Sequence, residues 1–238
     1  MKRWGHMAKT FTKIGKEITI AVKQGGPDVV GNSRLRALMA EARSENMPKD
    51  NVEKAIKRAL EKNQGDFKEV VFEGYGPHGI AYLVETATDN NTRTVANVRS
   101  YFTKCGGSLG TSGSVSFMFD HKCVFRIKYQ EGMDIDELQL ALCECDDDPE
   151  VFIEEQEDKD ENITKNVVIY GAYESYGAIQ KYIEDNGYEL VSGGFERIPN
   201  VDLKDVTPEQ RETLDKLTGL LEDDDDVTNV YNTLKPAE

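Results

Sequence analysis

The 238-residue sequence predicts an α+β protein: an N-terminal three-helix domain followed by two α/β ferredoxin-like domains, one inserted into the other. Two observations support this prediction. Apolar residues recur at helical spacing through residues 1–60, and the pattern then changes to the alternating, β-branched pattern of strands. The elements of the middle region also form an incomplete layer, which the C-terminal segment can complete.

Residues 1–66 are predicted to form a basic domain of three short helices. Three amphipathic stripes would face inward and make a small bundle. The stripes are Phe11, Ile14, Ile18, Ala21 and Val22; Leu35, Leu38, Met39 and Ala42; and Val52, Ala55, Ile56, Ala59 and Leu60.

Local signals set the boundaries of these helices. Gly25-Gly26-Pro27 stops the first helix. Asn32 or Ser33 caps the second, and Pro48 fits the first turn of the third. The third helix is predicted to end at Asn63–Gly65.

The region after residue 66 has the composition of strands. It predicts a β-α-β-β unit that lacks the last helix and strand of a ferredoxin-like layer. Its elements are strands at 70–73 and 80–86, a helix at 92–104, and strands at 115–119 and 123–127.

The C-terminal segment supplies the missing helix, at 208–221, and strand, at 227–234. An exposed sheet edge and an uncovered sheet face are both unfavourable, so we expect this segment to return to the middle layer. The middle domain is then 67–130 plus 206–238, and 131–205 is an inserted acidic α/β domain. The inserted elements are helices at 134–143 and 174–185 and strands at 151–155, 166–170 and 188–191.

Charge is distributed unevenly along the chain. The formal net charge is −15, but residues 1–60 hold 13 basic and 6 acidic residues, while the remainder holds 16 basic and 38 acidic ones. A basic N-terminal region on an acidic body favours phosphate binding and limits nonspecific association. The candidate nucleic-acid-binding residues are Lys9, Lys13, Lys16, Arg34, Arg36, Lys49, Lys54, Lys57 and Arg58.

Two glycine-rich segments resemble ligand loops. Gly74-x-Gly76-x-x-Gly79 matches the dinucleotide fingerprint, but a predicted strand follows where the pyrophosphate needs a helix N-terminus. We therefore expect a tight connection between strands. The loop Gly106–Gly113 lacks the Lys-Ser/Thr ending of a P-loop, which favours a structural turn over an anion contact.

The remaining polar features predict no catalytic, cofactor or metal site. The acidic runs Asp146–Asp148 and Glu222–Asp226 lack EF-hand spacing, so we expect solvated, mutually repelling faces. No Ser-His-Asp, Cys-His or H-E-x-x-H arrangement occurs, and the prediction is a protein that is not an enzyme. The four cysteines form no C-x-x-C pair and are expected to be reduced thiols.

No apolar run is long enough to span a membrane, and MKRWGHMAKT is not a secretory signal. These features predict a cytoplasmic protein with no membrane partner. Its expected partner is nucleic acid, either DNA or ribosomal RNA, because both present phosphate. The joints at Gly25–Pro27 and Met47-Pro48 show no recognisable helix-turn-helix turn, which weakens the case for base readout.

Several long motifs, in order along almost the whole chain, resemble the YebC/PmpR family. They are Phe11-Thr-Lys-Ile-Gly-Lys-Glu-Ile18, Asn32-Ser-Arg-Leu-Arg36, Asn46-Met-Pro-Lys-Asp-Asn-Val-Glu-Lys-Ala-Ile-Lys-Arg58, Glu73-Gly-Tyr-Gly-Pro-His-Gly79, Thr88-Asp-Asn-Asn-Thr-Arg-Thr-Val-Ala-Asn-Val-Arg99, Lys104-Cys-Gly-Gly-Ser-Leu-Gly-Thr-Ser-Gly-Ser-Val115 and Asp225-Asp-Val-Thr-Asn-Val-Tyr231.

This resemblance implies a three-domain, non-enzymatic regulator of gene expression without a cofactor. Bacterial members are described as DNA-binding transcriptional regulators, which is the function we expect. The alternative is a ribosome-associated, RNA-binding translation factor that relieves stalling, since the mitochondrial relative is a translational activator of cytochrome c oxidase. Under that alternative the ribosome is the partner.

Overall fold

The computed structural model describes residues 2–61, 66–157 and 163–236, with side chains from residue 7 onward and to residue 155 before the second gap. The predicted α+β class is confirmed. Three N-terminal helices precede two four-stranded sheets with their helices. The chain forms three strands of the first sheet, then the whole second sheet, and then the last strand of the first sheet.

The three predicted N-terminal helices are present, although the first begins at Lys2 and not near Phe11, where its apolar stripe begins. They are α1 (Lys2–Gly25), α2 (Ser33–Ser44) and α3 (Lys49–Leu60). Gly26 adopts φ +84°, a left-handed conformation that ends α1 and suits glycine. The side chain of Asn32 caps α2 by accepting a hydrogen bond from the Leu35 N–H at 3.0 Å. The predicted end of α3 at Asn63–Gly65 lies outside the described residues.

The first sheet is built by both the middle and the end of the chain. Its strands are β1 (Lys68–Tyr75), β2 (Ala81–Thr88), β3 (Ser108–Leu109) and β8 (Val227–Asn232), in the order β3-β1-β2-β8. Every pairing is antiparallel, and Phe72 lies opposite Val84. Two helices belong to this sheet, α4 (Asn91–Lys104) and α7 (Pro208–Glu222).

The central strand β2 is buried on both faces. Tyr82 and Val84 pack with Phe102 of α4 and with Leu214 and Leu217 of α7. On the opposite face, Ala81 and Leu83 contact a second cluster, formed with Val115 and Phe119. The predicted return of the C-terminus to this sheet is therefore present, because α7 and β8 complete both the core and the ladder.

The predicted strands at 115–119 and 123–127 are partly wrong. Ser116–Met118 is a 3₁₀ turn, and one long strand, β4 (Phe119–Lys128), follows it. This strand lies in the second sheet and not beside β1 or β2. Alternation predicts a strand but not its partner, and β3, the short strand that occupies the edge beside β1, was not predicted.

Besides β4, the second sheet contains β5 (Glu150–Glu157), β6 (Ile163–Ala172) and β7 (Leu190–Pro199). The strand order is β5-β6-β4-β7. Two helices accompany it, α5 (Ile135–Leu142) and α6 (Tyr176–Asp185). Phe125, Ile127 and Ile169 from the sheet pack with Leu142 and Ile179 from the helices. Ala37 of α2 belongs to the same core.

Compactness divides the chain into two units. One contains the chain up to Ile20, Lys57–Asp120 and the segment from Arg197 onward; the other contains Ala21–Ile56 and His121–Glu196. The domain boundaries at 66, 130 and 205 stay predictions. Within the described ranges, no helix is long and apolar enough to cross a membrane.

Candidate nucleic-acid interface

Three of the predicted phosphate-binding lysines lie on one face of α1, because Lys9, Lys13 and Lys16 are spaced i, i+4, i+7. All three contact the acidic segment, residues Glu222–Asp226. Lys9 Nζ lies 2.6 Å from Asp223 Oδ1, and Lys13 Nζ donates to the Glu222 carbonyl at 3.1 Å. Burial lowers the pKa of Lys13, with Lys9 adding to the shift and Glu222 opposing it.

Lys16 is buried and held by three acceptors. Its ammonium donates to Asp226 Oδ1 at 2.8 Å, to the Asp225 carbonyl at 2.6 Å and to the Ala87 carbonyl at 3.1 Å. An ammonium has three N–H donors, so this set uses all of them. The geometry gives Lys16 a structural role in fastening α1.

Asp226 is the centre of this network. Its second oxygen accepts from Arg93 Nη2 at 2.6 Å and from the Thr94 hydroxyl at 2.9 Å. Burial alone would raise the pKa of Asp226, but the hydrogen bonds from Lys16, Arg93 and Thr94 outweigh it and lower the pKa to about 2. Asp226 is therefore ionised at neutral pH.

The two arginines of α2 contact other parts of the protein. Arg34 Nη1 donates to Gln24 Oε1 at 3.1 Å. Arg36 forms an ion pair with Glu184 at 2.7 Å and donates to the carbonyls of Val29–Val30. Both side chains are therefore engaged in joining α2 to its surroundings.

Arg58, at the end of α3, stacks on an aromatic ring. Its guanidinium carbon lies 4.2 Å from the centre of the Phe67 ring, and Lys16 Nζ lies 5.3 Å from the same centre. Such cation–π contacts are strongest when the cation is desolvated. Arg58 thus packs the junction between α3 and the chain leading to β1.

The other α3 cations are different. Lys49, Lys54 and Lys57 are exposed, and none forms an ion pair or hydrogen bond among the residues that the structure describes. Arg43 in the last turn of α2 is exposed in the same way. The charge count over residues 1–60 did not single out Arg43, although its position in the last turn of a helix was a usable signal.

A four-residue turn, Glu45–Pro48, joins α2 to α3. Asn46 adopts φ +57°, and the N–H groups of Asn46 and Met47 donate to the carbonyls of Arg43 and Ala42. This is the Schellman pattern that ends many helices. Its length falls within the range of helix-turn-helix connections, which the sequence had not revealed.

The glycines of the G-x-G-x-x-G match serve sheet packing. Gly74 lies in β1, where a Cβ atom would come within 2.7 Å of the Ser108 carbonyl oxygen. At Gly76 a Cβ atom would lie 2.8 Å from the Tyr82 ring. Pro77–Gly79 is a single 3₁₀ turn leading into β2, so the expected connection between strands is confirmed.

The loop Gly106–Gly113 is held by a carboxylate of the protein itself. Buried Glu73 accepts hydrogen bonds from the N–H groups of Gly113, Val115 and Ser116 at 2.7, 2.7 and 2.8 Å. Burial alone would raise the pKa of Glu73, but these donors lower it below its usual value. The expected structural turn is therefore correct, and Glu73 is the anion that it binds.

The acidic runs are only in part the solvated faces that the sequence predicts: Asp147, Asp148, Glu222, Asp223 and Asp225 are exposed, and the others are not. Asp226 is buried, Asp224 accepts from Asn97 and from Tyr101, and Asp223 pairs with Lys9. Buried Asp146 accepts from the Ala172 N–H at 2.8 Å. The partners lie far away in sequence, so composition alone could not identify these pairs.

Within the described residues, no group of three or more His, Cys, Asp or Glu side chains is placed to hold a metal ion. The four cysteines are free thiols, and Cys105 and Cys123 are buried.

Comparison with known proteins covers nearly the whole chain. Residues 1–62 match the family model "TACO1/YebC protein N-terminal domain", and residues 67–234 match "TACO1/YebC second and third domain". A "Probable transcriptional regulatory protein" of Parabacteroides distasonis is 59% identical over 98% of this chain and 92% of its own length. A protein of the same name from Porphyromonas gingivalis is 56% identical over 100% of this chain and 94% of its own.

A solved structure shares the fold as well. The crystal structure of a conserved hypothetical protein from Aquifex aeolicus superposes with a TM-score of 0.77 at 32% identity, covering 97% of this chain and 91% of that one. Because two family models together match almost every residue from 1 to 234, this chain belongs to the TACO1/YebC family.

Proposed function

We propose that this protein is a nucleic-acid-binding regulator of gene expression, and that it acts on DNA as a transcriptional regulator. The observation that carries the proposal is the exposed lysine set of α3, Lys49, Lys54 and Lys57. These side chains have no ion pair within the described ranges, so phosphate binding would cost them no existing partner. The relatives named as probable transcriptional regulatory proteins support the same function.

The α2–turn–α3 arrangement favours DNA over RNA. A helix-turn-helix protein places its second helix in the major groove, with the N-terminal residues of that helix nearest the bases. Here α3 would be that helix, and Lys49 and Asn51 stand in its first turn. Lysine suits guanine and asparagine suits adenine in the major groove, while Lys54 and Lys57 would contact phosphate.

The test begins in living cells. The protein is crosslinked to nucleic acid and purified, and both the attached DNA and the attached RNA are sequenced. The comparison chain carries Lys49→Gln, Lys54→Gln and Lys57→Gln together. A matched control carries Lys68→Gln, Lys181→Gln and Lys216→Gln, which removes the same charge from exposed lysines of β1, α6 and α7 that form no ion pair among the described residues.

Discrete promoter DNA, enriched with the wild-type and control chains and lost with the α3 variant, would support the proposal. Enrichment of ribosomal RNA at one location would instead move the function to translation. If the wild-type chain recovers no more DNA and no more RNA than the α3 variant does, α3 is an ordinary solvated helix.

Binding in vitro gives a second readout. Each phosphate contact contributes about 0.9 to the slope of log affinity against log salt on duplex DNA. The α3 variant should therefore flatten this slope by roughly 2 to 3, and the control should leave it unchanged.

A further inference from the structure

The acidic segment Glu222–Asp226 lies along the lysine row of α1 in the way that a phosphate chain would. Each lysine of the row meets this segment: Lys9 at the Asp223 carboxylate, Lys13 at the Glu222 carbonyl, and Lys16 at the Asp226 carboxylate and the Asp225 carbonyl. Carboxylate and phosphate oxygens are both acceptors of charge-assisted hydrogen bonds from lysine. Two partners can therefore compete for the same ammonium groups.

The two ends of this contact differ in strength. The inner pair is buried, with the side chains of Lys16 and Asp226 only 11% and 6% exposed. The outer pair is open to water, with Lys9 and Asp223 37% and 75% exposed. Exposed ion pairs contribute little to stability, whereas a buried pair is costly to break. The ion pair between Lys9 and Asp223 can therefore break while the pair between Lys16 and Asp226 stays intact.

The position of the segment also favours release of the Asp223 side chain. Glu222 ends α7, and Asp223 is the C-cap of that helix. The carbonyl end of a helix carries partial negative charge, so acidic side chains there are unfavourable. Five consecutive acids add repulsion among themselves. The backbone on either side of Asp223 is held, because Leu221 is buried and Asp224 accepts hydrogen bonds from Asn97 and Tyr101, so it is the Asp223 side chain that can turn away from Lys9.

We propose that the Asp223 carboxylate is an autoinhibitory substitute for phosphate, and that nucleic acid displaces this side chain to bind Lys9. This inference rests on the proposed function, because it requires nucleic acid as the competitor. In it, Lys9 binds phosphate only after the Asp223 side chain has left its ammonium group. Lys16 remains paired with Asp226 throughout and keeps α1 fastened.

The test uses four full-length variants and a short random-sequence DNA duplex across a range of salt concentrations. Asp223→Asn removes the competitor of Lys9. Asp225→Asn is the matched control, because it changes the same charge in the same segment while its exposed side chain forms no ion pair among the described residues. Lys9→Gln, alone and combined with Asp223→Asn, tests whether a gain in affinity for the duplex requires the Lys9 ammonium group.

We expect Asp223→Asn to tighten binding by about two- to fivefold, the strength of one exposed ion pair. Asp225→Asn should change affinity less. Lys9→Gln should lower the salt slope by about 0.9 and should abolish the gain from Asp223→Asn. Equal gains from Asp223→Asn and Asp225→Asn, or a salt slope that Lys9→Gln leaves unchanged, would overturn the proposal.

The α3 variant separates this failure from a failure of the proposed function. Suppose that the α3 variant binds nucleic acid more weakly than the wild type, while the Asp223 and Lys9 variants bind it as the wild type does. Then only the autoinhibition proposal is wrong. If no chain, including Asp223→Asn, binds the duplex or an RNA strand of the same length, both proposals are wrong.

Discussion

Lys16 shows how one buried side chain can decide the position of a helix. It is the only α1 lysine of the row whose ammonium is fully enclosed, and it reaches β2 and the C-terminal segment at once. A buried ion pair adds little net stability, but removal of Lys16 would leave the buried Asp226 carboxylate to its pair with the half-exposed Arg93. Lys16 is therefore important because it pairs with a carboxylate, that of Asp226, which is buried in the folded protein.

The first prediction compares two lysines on the same helix face. Lys16→Met should lower the free energy of unfolding by about 3 kcal/mol, because Asp226 loses a buried partner. Lys9→Met should cost less than about 1 kcal/mol, because its pair with Asp223 is exposed. Urea unfolding of both variants measures the two costs. Equal costs would show that Lys16 does not fasten α1.

A second prediction concerns Glu41 of α2. Burial, and then the nearby Glu45, raise the pKa of Glu41 to about 7, while Arg126 opposes the shift. A carboxyl group with a raised pKa keeps its proton longer in the folded state. The wild-type protein should thus lose stability as the pH rises from about 4.5 to about 7.

The variant Glu41→Gln cannot ionise, so this loss should be absent from it. Its stability relative to the wild type should increase by roughly 3 kcal/mol between pH 4.5 and pH 8. Thermal melts of both chains across this range provide the measurement. A constant difference between the two chains would mean that Glu41 has an ordinary pKa.

At the scale of elements, the first sheet depends on a strand from the end of the chain. Strand β8 pairs with β2, and α7 supplies Leu214, Leu217 and Leu221 to the core. Without them β2 would become an exposed edge above an open apolar face. The contribution of α7 and β8 can therefore be tested as one unit.

The third prediction removes that unit. A chain ending at Asp205 should lose the cooperative unfolding transition and the near-UV circular dichroism of the first sheet. A control chain ending at Lys235 retains the hydrogen bond from the Lys235 N–H to the Lys204 carbonyl and should unfold normally. Native-like spectra from the shorter chain would show that α7 and β8 are dispensable.

Local signals predicted most elements but not their partners. The Asn32 cap, the Gly25–Gly26 stop and the α7 start are visible because they act over a few residues. The sheet membership of β4 is invisible in the sequence, since a strand buried in either sheet has the same alternation. The strand predicted at 115–119 fails because Glu73, some 40 positions earlier, bends that segment into a turn.

The candidate interface was predictable in its charge and not in its geometry. The basic N-terminal region follows from counting residues. The loss of Lys16 and Arg36 to internal contacts depends on partners at distant positions, Asp226 and Glu184. Ion pairing over such separations leaves no local pattern.

At the scale of the whole molecule, each compact unit has its own apolar core. Ile80 is fully buried in the first core and Ile169 in the second. The first core lies within one unit, and the second core lies within the other. The two cores should thus respond separately to damage.

The fourth prediction uses the same small substitution in each core. Ile80→Val and Ile169→Val should each cost about 1 kcal/mol. Hydrogen exchange should then quicken about fivefold in the slow amides of the mutated unit. The other unit should exchange as in the wild type. Equal acceleration in both units would show that they open as one.

The pairing of β8 with β2 has a consequence for synthesis. A chain leaves the ribosome from its N-terminus, and its segments can fold as they emerge. All strands of the second sheet emerge before residue 200, whereas the first sheet lacks a strand until Val227–Asn232 emerges. The sheet that starts first is therefore finished last. Until then β2 lacks its partner strand β8, and the α1 lysines lack the acidic segment. In this interval the nascent chain is most exposed to wrong associations.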